Sequence, residues 1–517
     1  MNFFERVEDF LSEKLNITKE NKSTFLTLAF IVFVLLSFVI FVSPIKVFGL
    51  LIAAVFLIVC MLRPAWIVFF LAVFIPFEPF LLKFVPDDLY VFARYFSEVL
   101  IYLLLLSSGW KLIIRDKKYF QTPIDLPFIL FLLVLAASAV VNFVPVTIAT
   151  LGIRQIIRFI LLYYAVSFLG INKKIIKMTI FAMFIIVLFQ SALGLSQAVL
   201  AGRLDSFLAP TERKVLGEIQ LTAGTQQPFG EGSRIFATMG RYDQLGTFLC
   251  FFLLLAVGLR YQVKEKNFKL FLSILPFLGI PALILTYSRA SWFGFLFGFI
   301  LISIIIKKDK RFLFLFIGSI FALIVYLLYS GIVVHYLIDV PSQTILERFF
   351  EAFSYERWRG EYYGLGRLYF IVNTIVMVLP HFFLFGAGPG QYGGGAAAAL
   401  HNTTVYDKLG LPFGVYGTEG YIDNNWLSLL GETGILGFVF YASIFFVLFV
   451  FAYRVYKKSK SKFTQGLCLG FLGCILAVSF QAFLGTYLEV RTLALYFWLL
   501  AAFIVTLARQ EEINIFK

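Results

Sequence analysis

Arginine is the residue type whose placement most clearly indicates chemistry in this 517-residue chain. It collects in two polar segments, at about 200–243 and about 335–425, and at the edges of neighbouring apolar stretches. The arginines concerned are Arg203, Arg213, Arg234, Arg241, Arg289, Arg348, Arg357, Arg359, Arg367 and Arg491. A guanidinium donates paired hydrogen bonds to phosphate oxygens, whereas lysine, which is scarce in these segments, acts as a point charge. The set therefore predicts a site for a phosphorylated ligand.

A simpler explanation exists for any single arginine, which could pair with a nearby glutamate or with a lipid headgroup. The available glutamates are Glu212, Glu218, Glu231, Glu347, Glu351, Glu356 and Glu361. For one arginine considered alone this pairing is the better explanation, and for the whole set we favour the ligand site.

Arg154 and Arg158 are individually stronger candidates, because they lie four residues apart within an apolar stretch. That spacing places them on one face of a helix. Charge inside a membrane is costly and by default indicates function. The alternative is that their side chains reach the headgroups, which is easier for Arg154 than for Arg158.

The elements that carry these residues are membrane helices. The chain is 60% hydrophobic and 14% charged, with a mean hydropathy of +0.90, whereas a soluble domain has about 25% charged residues. Apolar windows of about 20 residues recur, which is enough to cross a bilayer, and their continuous apolarity requires helices rather than barrel strands. The predicted fold class is an all-α integral membrane protein with about 12–14 transmembrane helices, forming one polytopic domain over residues 1–517.

The orientation follows from clusters rich in lysine that lie in the connections. Spans are predicted near 24–42, 46–62, 65–82, 95–108, 126–144, 151–169, 176–199, 244–260, 268–286, 291–306, 312–334, 426–453, 464–485 and 491–508. With the N-terminus inside, the clusters at 111–118, 173–177, 264–269, 307–311 and 457–462 all lie in the cytoplasm, as the positive-inside rule requires. This accounts for the formal charge of +14 without a nucleic-acid partner.

Two outer loops remain, at 200–243 and at 335–425. The apolar stretch near 368–385 lies in the larger one, and counting it as a span would move the lysines at 457–462 outside. We therefore predict a short interfacial or buried helix there.

Three stretches resemble the O-antigen ligase and O-antigen polymerase superfamily. The stretch Arg234-Ile-Phe-Ala-Thr-Met-Gly-Arg241-Tyr-Asp-Gln-Leu-Gly246, which leads into the span at 244–260, is similar to the family's R-x-x-G-T-x-x-x-x-N segment, and we call it the Arg234 motif. The stretch Ser288-Arg289-Ala-Ser-Trp292, which we call the Ser288 motif, is similar to the family's S-R-G/A-x-W/L element. The third stretch contains Gly366-Arg367, Gly386-Ala-Gly388-Pro-Gly390, and Asp423-Asn424 followed after nine residues by Gly434 and Gly437. Its end resembles the ligase signature H-[N/S/Q]-x9-G-x-x-[G/T/Y] in all but the first residue. The resemblance covers roughly 200–440.

The resemblance implies a GT-C-like glycosyltransferase that transfers or polymerises undecaprenyl-pyrophosphate-linked oligosaccharide repeat units at the outer face of the bacterial plasma membrane. The ligases have histidine where this chain has Asp423, and an acidic pair is more similar to the polymerase branch. The alternatives are a ligase that transfers glycan to lipid A core or protein and, in another class, a flippase for lipid-linked oligosaccharide. The implied partners are the lipid-linked donor, a glycan or lipid acceptor and the bilayer, and a chain-length regulator is compatible with this role.

In such a reaction arginines stabilise the pyrophosphate leaving group and a base accepts the proton of the acceptor hydroxyl. Arg289, Arg367 and, as the base, Asp423 are the predicted catalytic residues, with Glu432 and Glu419 as weaker bases. Arg154, Arg158, Arg234 and Arg241 are predicted to bind the pyrophosphate. The scheme requires neither a metal nor a cofactor, and none is predicted.

Two parts of the motif have structural alternatives. Asp423 opens D-N-N-W and could cap a helix, which is compatible with catalysis. Gly388 and Gly390 could present N–H groups to phosphate, but a turn that ends the loop helix is the interpretation we favour. Asn424, Gly434 and Gly437 are predicted to be structural members of the motif.

Overall fold

The computed structural model describes residues 54–56, 58–59, 61–114, 121–210, 215–216, 219–220, 233–338, 340 and 343–513. Within them, eleven helices are long and apolar enough to cross a membrane. These eleven are α1, α2, α4 to α9 and α15 to α17 in a numbering that also includes shorter helices. In chain order the numbered helices are α1 (Pro64–Phe84), α2 (Asp87–Ile114), α3 (Asp125–Val141), α4 (Val146–Leu169), α5 (Lys173–Val199), α6 (Tyr242–Gln262), α7 (Lys266–Leu285), α8 (Arg289–Ile306), α9 (Lys310–Ser330), α10 (Ile345–Glu351), α11 (Tyr355–Tyr363), α12 (Arg367–His381), α13 (Gly395–Ala399), α14 (Thr404–Leu409), α15 (Asn425–Lys458), α16 (Lys462–Ala482) and α17 (Arg491–Gln510). A helical turn, Asp205–Leu208, and an antiparallel hairpin of β1 (Val215–Leu216) and β2 (Ile219–Gln220) lie between α5 and α6.

This architecture confirms the predicted all-α polytopic membrane fold. The twelve spans predicted from residue 65 onward each correspond to one of the eleven long helices or to α3, which has 17 residues. The predicted span at 24–42 and most of the one at 46–62 lie outside the described residues.

The most buried part of the bundle is formed by α6, α16 and α17. Helices α6 and α16 approach so closely that a Cβ on Gly258 would stand 2.7 Å from the carbonyl oxygen of Gly466. Small residues at helix crossings let backbones come into contact in membrane proteins, where apolar burial alone does not drive association. Helix α9 is the opposite case, because none of its residues is buried.

The bundle has two chemically different ends. At one end Lys173 pairs with Glu511 at 3.0 Å, and Glu511 also accepts hydrogen bonds from Ser459 and Thr464. We call this the lysine end, since the basic connections after α6, α8 and α15 belong to it by the alternation of the helices. The starts of α2, α4, α6, α8, α15 and α17 lie at the other end, which we call the arginine end.

The segment between α9 and α15 returns to the arginine end. The helix predicted near 368–385 is present as α12, which is bent by 68° from α11. It begins at Arg367, beside Asp423, and is followed by Leu384, whose carbonyl oxygen lies against Gly434. Gly434 is ten residues into α15, so α12 extends roughly 15 Å inward at about 1.5 Å per residue. One face is buried and the other exposes Ile375 and Val376, as expected for a re-entrant segment that faces lipid.

Candidate active site

A cleft of about 310 Å³ opens at the arginine end. We call it the polar cleft. It is lined by parts of α1, α2, α4, α6, α12, α13 and α17 and by the connections that precede α6, α15 and α17. Its arginines are Arg94, Arg154, Arg158, Arg241, Arg367 and Arg491, and its carboxylates are Glu78, Asp243, Asp423 and Glu489. Four of the six arginines predicted for the site are therefore brought together with Asp423.

Arg154 and Arg158 share a buried acid on the neighbouring helix α2. Arg154 forms a two-pronged salt bridge with Glu98, with Nη2 at 2.6 Å from Oε2, and Arg158 Nη1 lies 3.5 Å from the same oxygen. Arg158 Nη2 also donates to the main-chain oxygen of Glu489 at 2.8 Å. These contacts fix the guanidinium groups in the cleft wall, so headgroup snorkelling does not describe Arg158.

Arg491, at the start of α17, is held in the same way by α1 and α2. Its Nη1 donates to Glu78 at 2.8 Å and to the main-chain oxygen of Arg94 at 2.6 Å. Ser97 donates a further bond to Glu78 at 2.8 Å. A buried carboxylate thus orients each arginine group of this wall, which limits the reorganisation needed when an anion binds.

Arg367 and Asp423 form a salt bridge that links α12 to the start of α15. Nε and Nη2 of Arg367 donate to Oδ2 of Asp423 at 3.0 and 2.7 Å. Asp423 has φ of +52°, a left-handed conformation in which Asp, Asn and His are the most frequent non-glycine residues. The cap of α15 is Asn424, which accepts from Leu427 N at 3.0 Å. The alternative that Asp423 caps the helix is therefore wrong by one residue.

Arg241 and Arg234 lie near the start of α6. Arg241 forms a fork with Asp243, with Nε and Nη2 at 3.0 and 3.1 Å from its two oxygens; the charge of Asp243 raises the pKa of Arg241 well above its usual value. Arg234 is buried, and its guanidinium lies 4.5 Å from the centroid of the Tyr242 ring. Arg234 is not among the residues that line the polar cleft.

A second cavity, of about 830 Å³, adjoins the first, and we call it the apolar groove. Side chains of α8, α9, α10 and α16 line it, including Phe293, Phe297, Phe312, Leu315, Phe349 and Phe480. Its end carries Arg289, Arg348 and Arg357. All three form salt bridges with the fully buried Glu351, with distances from guanidinium nitrogen to carboxylate oxygen of 2.5 Å for Arg289, 3.0 Å for Arg348 and 2.7 Å for Arg357. We refer to the four residues as the Glu351 cluster.

The Glu351 cluster confirms pairing with glutamate for part of the arginine set. Arg357 also contacts Glu361 at 3.0 Å, and Arg359 pairs with Glu356 outside both cavities. Three guanidinium groups nevertheless share two carboxylates around Glu351. Because a guanidinium has five N–H donors, pairing with one carboxylate does not prevent it from binding phosphate.

The two cavities meet at Arg367 and Tyr487, which line both. The predicted catalytic residues are therefore divided. Arg367 and Asp423 belong to the polar cleft, whereas Arg289 belongs to the apolar groove, and Arg367 connects them.

The glycines of the third stretch, Gly386, Gly388, Gly390, Gly434 and Gly437, which we call the glycine signature, allow two parts of the chain to pack closely. Ala387 N and Gly388 N donate to the carbonyl oxygens of Gly431 and Glu432 at 2.8 and 3.0 Å, and the backbone of Gly390 bonds to the side chain of Glu432. These N–H groups bind protein atoms rather than facing a ligand, in agreement with the interpretation of the tract as a turn.

Gly434 is the position in this signature with the strictest requirement. Its φ is +66°, and a Cβ there would collide with the backbone of Leu384 and Gly386. We expect Gly434→Ala to destabilise the fold by more than the roughly 1–3 kcal/mol of a residue held in this region of positive φ, which is essentially restricted to glycine, because the backbone clash adds to that cost. Thermal unfolding in detergent checks this, with Gly318→Ala on α9, where no atom lies within 4 Å of the added Cβ, as the control. Equal Tm values for the two variants would contradict the packing role.

The first two motifs also pack on each other. Gly246, which ends the Arg234 motif, faces the Ser288 motif, and a Cβ there would stand 2.7 Å from Ser291 Oγ. Ser288 and Ser291 share a hydrogen bond of 2.9 Å, and Trp292 donates to Leu283 O at 2.9 Å. The motif pair therefore sets how closely α6 and α8 approach each other.

Sequence reasoning missed Glu98, Glu78 and Glu489. A signal existed for Glu98, because an acid within a predicted span suggests function or a partner. Nothing local in the sequence distinguishes Glu489, which reaches the cleft through the connection between α16 and α17. Among the described residues, no group of three or more His, Cys, Asp or Glu side chains is arranged to hold a metal ion.

Comparison with known proteins adds an independent finding. Residues 274–442 match a family model described as O-antigen ligase. That segment contains Arg289, the Glu351 cluster, Arg367, Asp423 and the glycine signature. No curated protein matches the chain. The match confirms, for residues 274–442 of this multi-pass membrane protein, the resemblance inferred from the sequence: this segment is similar to the O-antigen ligase domain, which supports the O-antigen ligase and polymerase superfamily.

Proposed function

We propose that the protein transfers or polymerises undecaprenyl-pyrophosphate-linked oligosaccharide repeat units at the outer face of the bacterial plasma membrane. The observation that carries this proposal is the junction of the two cavities at Arg367 and Tyr487. A donor of this class has an apolar tail, a pyrophosphate and a polar glycan, in that order. The apolar groove, the arginines and the polar cleft follow one another in the same order.

The apolar groove suits the tail. It lies between α8 and α9, and α9 buries none of its residues, so a lipid chain can enter from the side. The Glu351 cluster and Arg367 lie at the end of the groove that carries its arginines, where the pyrophosphate would lie. Guanidinium groups there would stabilise the charge that develops as the glycosidic bond to pyrophosphate breaks.

The polar cleft suits the glycan and its acceptor. It faces the end of the bundle opposite the lysine end, and the positive-inside rule places that lysine end in the cytoplasm. The cleft is thus proposed to open outward.

A lipid pyrophosphate is expected to raise the Tm of the purified protein in nanodiscs, by an amount that grows with ligand concentration. Undecaprenyl pyrophosphate is the probe, with undecaprenol, which lacks the charge, and inorganic pyrophosphate, which lacks the tail, as comparisons. The shift should be lost in Arg289→Ala and kept in Arg359→Ala, whose side chain is 55% exposed and outside both cavities. An equal shift with undecaprenol would argue against pyrophosphate recognition.

Polymerase and ligase activity are separated by the glycan of a deletion strain. If the protein is a polymerase, single repeat units attached to their final carrier should appear on a gel. Long chains left on the polyprenyl carrier would instead identify a ligase. We favour the polymerase, because Asp423 stands where the ligases have histidine.

A flippase is the alternative from another class. Transporters place their ionisable groups near the middle of the membrane. Here the arginines of both cavities lie at one end of the bundle, which favours an enzyme that acts at the surface.

A further inference from the structure

We propose that Glu489 is the group that accepts the proton of the acceptor hydroxyl, an inference that rests on the glycosyl transfer proposed above. This assigns to Glu489 the role that the sequence predicted for Asp423. The inference follows from how each carboxylate of the polar cleft is held.

Three of the four carboxylates that line the polar cleft are engaged by arginine. Glu78 pairs with Arg491, Asp243 with Arg241, and Asp423 with Arg367. Within the part of the chain that the structure describes, Glu489 forms no such ion pair. Its main-chain oxygen, not its carboxylate, accepts from Arg158.

Three neutral donors from three different elements hold the Glu489 carboxylate. Gly395 N and Gln155 Nε2 donate to Oε2 at 2.8 and 3.0 Å, and Asn425 Nδ2 donates to Oε1 at 3.2 Å. The side chain is thereby fixed at the cleft wall beside α13. A base must be oriented and must keep lone-pair capacity for its substrate. A carboxylate has about four lone-pair sites, and these bonds use three of them.

The surroundings of Glu489 suit a proton acceptor. Burial raises the pKa of Glu489 above its usual value, and the hydrogen bonds from Gly395 and Gln155 offset this only in part. The charged or titratable groups that face it are Arg158 on α4 and Glu432 and Tyr441 on α15. Oxygens of Glu432 and Glu489 lie 3.1 and 3.4 Å from the place where a Cβ would stand on Gly394, so the two carboxylates flank one glycine.

The step balances without a further reactant. The acceptor oxygen forms a bond to the anomeric carbon of the donor, while the bond from that carbon to the pyrophosphate oxygen breaks. The electron pair leaves with the lipid pyrophosphate at the arginines, and the hydroxyl proton passes to a Glu489 oxygen. Glu489 then returns the proton to solvent in the cleft.

The test uses the full-length protein in nanodiscs with lipid-linked repeat units extracted from a strain that lacks the gene. Release of undecaprenyl pyrophosphate is measured for wild type, Glu489→Gln, Glu489→Asp and Asp423→Asn. Glu265→Gln, an exposed acid at the lysine end, is the matched control. We expect Glu489→Gln to lose about 100- to 10,000-fold in rate, as for removal of a general base, and Glu489→Asp to retain part of the rate.

The pH profile distinguishes a base from a structural residue. Because the pKa of Glu489 is raised, the wild-type rate should fall as pH decreases at a higher pH than an ordinary carboxylate would give, and the residual rate of Glu489→Gln should lack that fall. Donor binding, followed by native mass spectrometry, should not change in Glu489→Gln. A rate within threefold of wild type, or an unchanged pH profile, would overturn the proposal. An inactive wild type that nonetheless binds the donor would instead count against the proposed function.

Discussion

Arg367→Ala is expected to lower the rate of glycosyl transfer by about 1,000-fold, the upper part of the range for loss of one transition-state donor. Arg367 is, with Tyr487, one of the two residues that line both the groove, where the lipid tail would lie, and the cleft, where the glycan would lie. Its removal also leaves Asp423 without the two donors at 3.0 and 2.7 Å. The measurement is release of undecaprenyl pyrophosphate in nanodiscs, supported by glycan length in a complemented deletion strain.

Arg367→Lys is the informative control, because it keeps the charge and removes the planar fork. We expect it to bind donor but to react more slowly than wild type. Asp423→Asn separates orientation from proton transfer, since an amide oxygen can still accept from Arg367 and asparagine tolerates a left-handed conformation. If Asp423 mainly orients Arg367, Asp423→Asn keeps more activity than Arg367→Ala. A rate for Arg367→Ala close to that of wild type would remove Arg367 from the mechanism.

The sequence predicted the membrane fold well because hydropathy is a local property. Twelve of the predicted spans correspond to helices of the described chain. The segment at 368–385 was not counted as a span only because counting it would have placed the lysines at 457–462 on the outer side. The polar cleft was partly predictable for the same reason. Arg154 and Arg158 are conspicuous inside an apolar stretch, so a site could be predicted at these residues without knowledge of their contacts.

The partners of these arginines could not be predicted, because they come from distant parts of the chain. Arg154 lies 56 residues from Glu98, and Arg491 lies 413 residues from Glu78. The site is thus formed by contacts between distant parts of the chain, and hydropathy does not predict such contacts. Residue 423 is a further example, since only the backbone shows that the cap is Asn424.

The conformation of residue 423 also bears on the difference from the ligases. At φ of +52°, aspartate and histidine are both among the non-glycine residues that the backbone accepts most readily. The same scaffold, with the Asn424 cap and the Gly434 packing site, can therefore carry either residue. A change at this position alters the chemistry next to Arg367 without requiring a change of fold.

Glu351→Ala is expected to destabilise the protein by about 3–5 kcal/mol, the cost of leaving buried charge uncompensated. Glu351 is fully buried, and three arginines with side-chain exposures of 12%, 5% and 8% depend on it. Arg289→Ala should cost less, because Arg348 and Arg357 still compensate Glu351. Thermal unfolding in detergent measures both. Glu356→Ala, which breaks the more exposed pair with Arg359, is the control and should cost about 0–1 kcal/mol.

The same cluster connects stability with ligand binding. Without the carboxylate, the three guanidinium groups repel one another, and an anion in the groove would relieve that repulsion. Undecaprenyl pyrophosphate should therefore raise the Tm of the isosteric variant Glu351→Gln by more than that of wild type, whereas undecaprenol should raise both equally. A larger shift in wild type would mean that Glu351 positions the arginines for the anion and that this positioning outweighs the repulsion. The sign of the difference thus decides whether the carboxylate acts chiefly as a counter-charge or as an orienting group for the pyrophosphate.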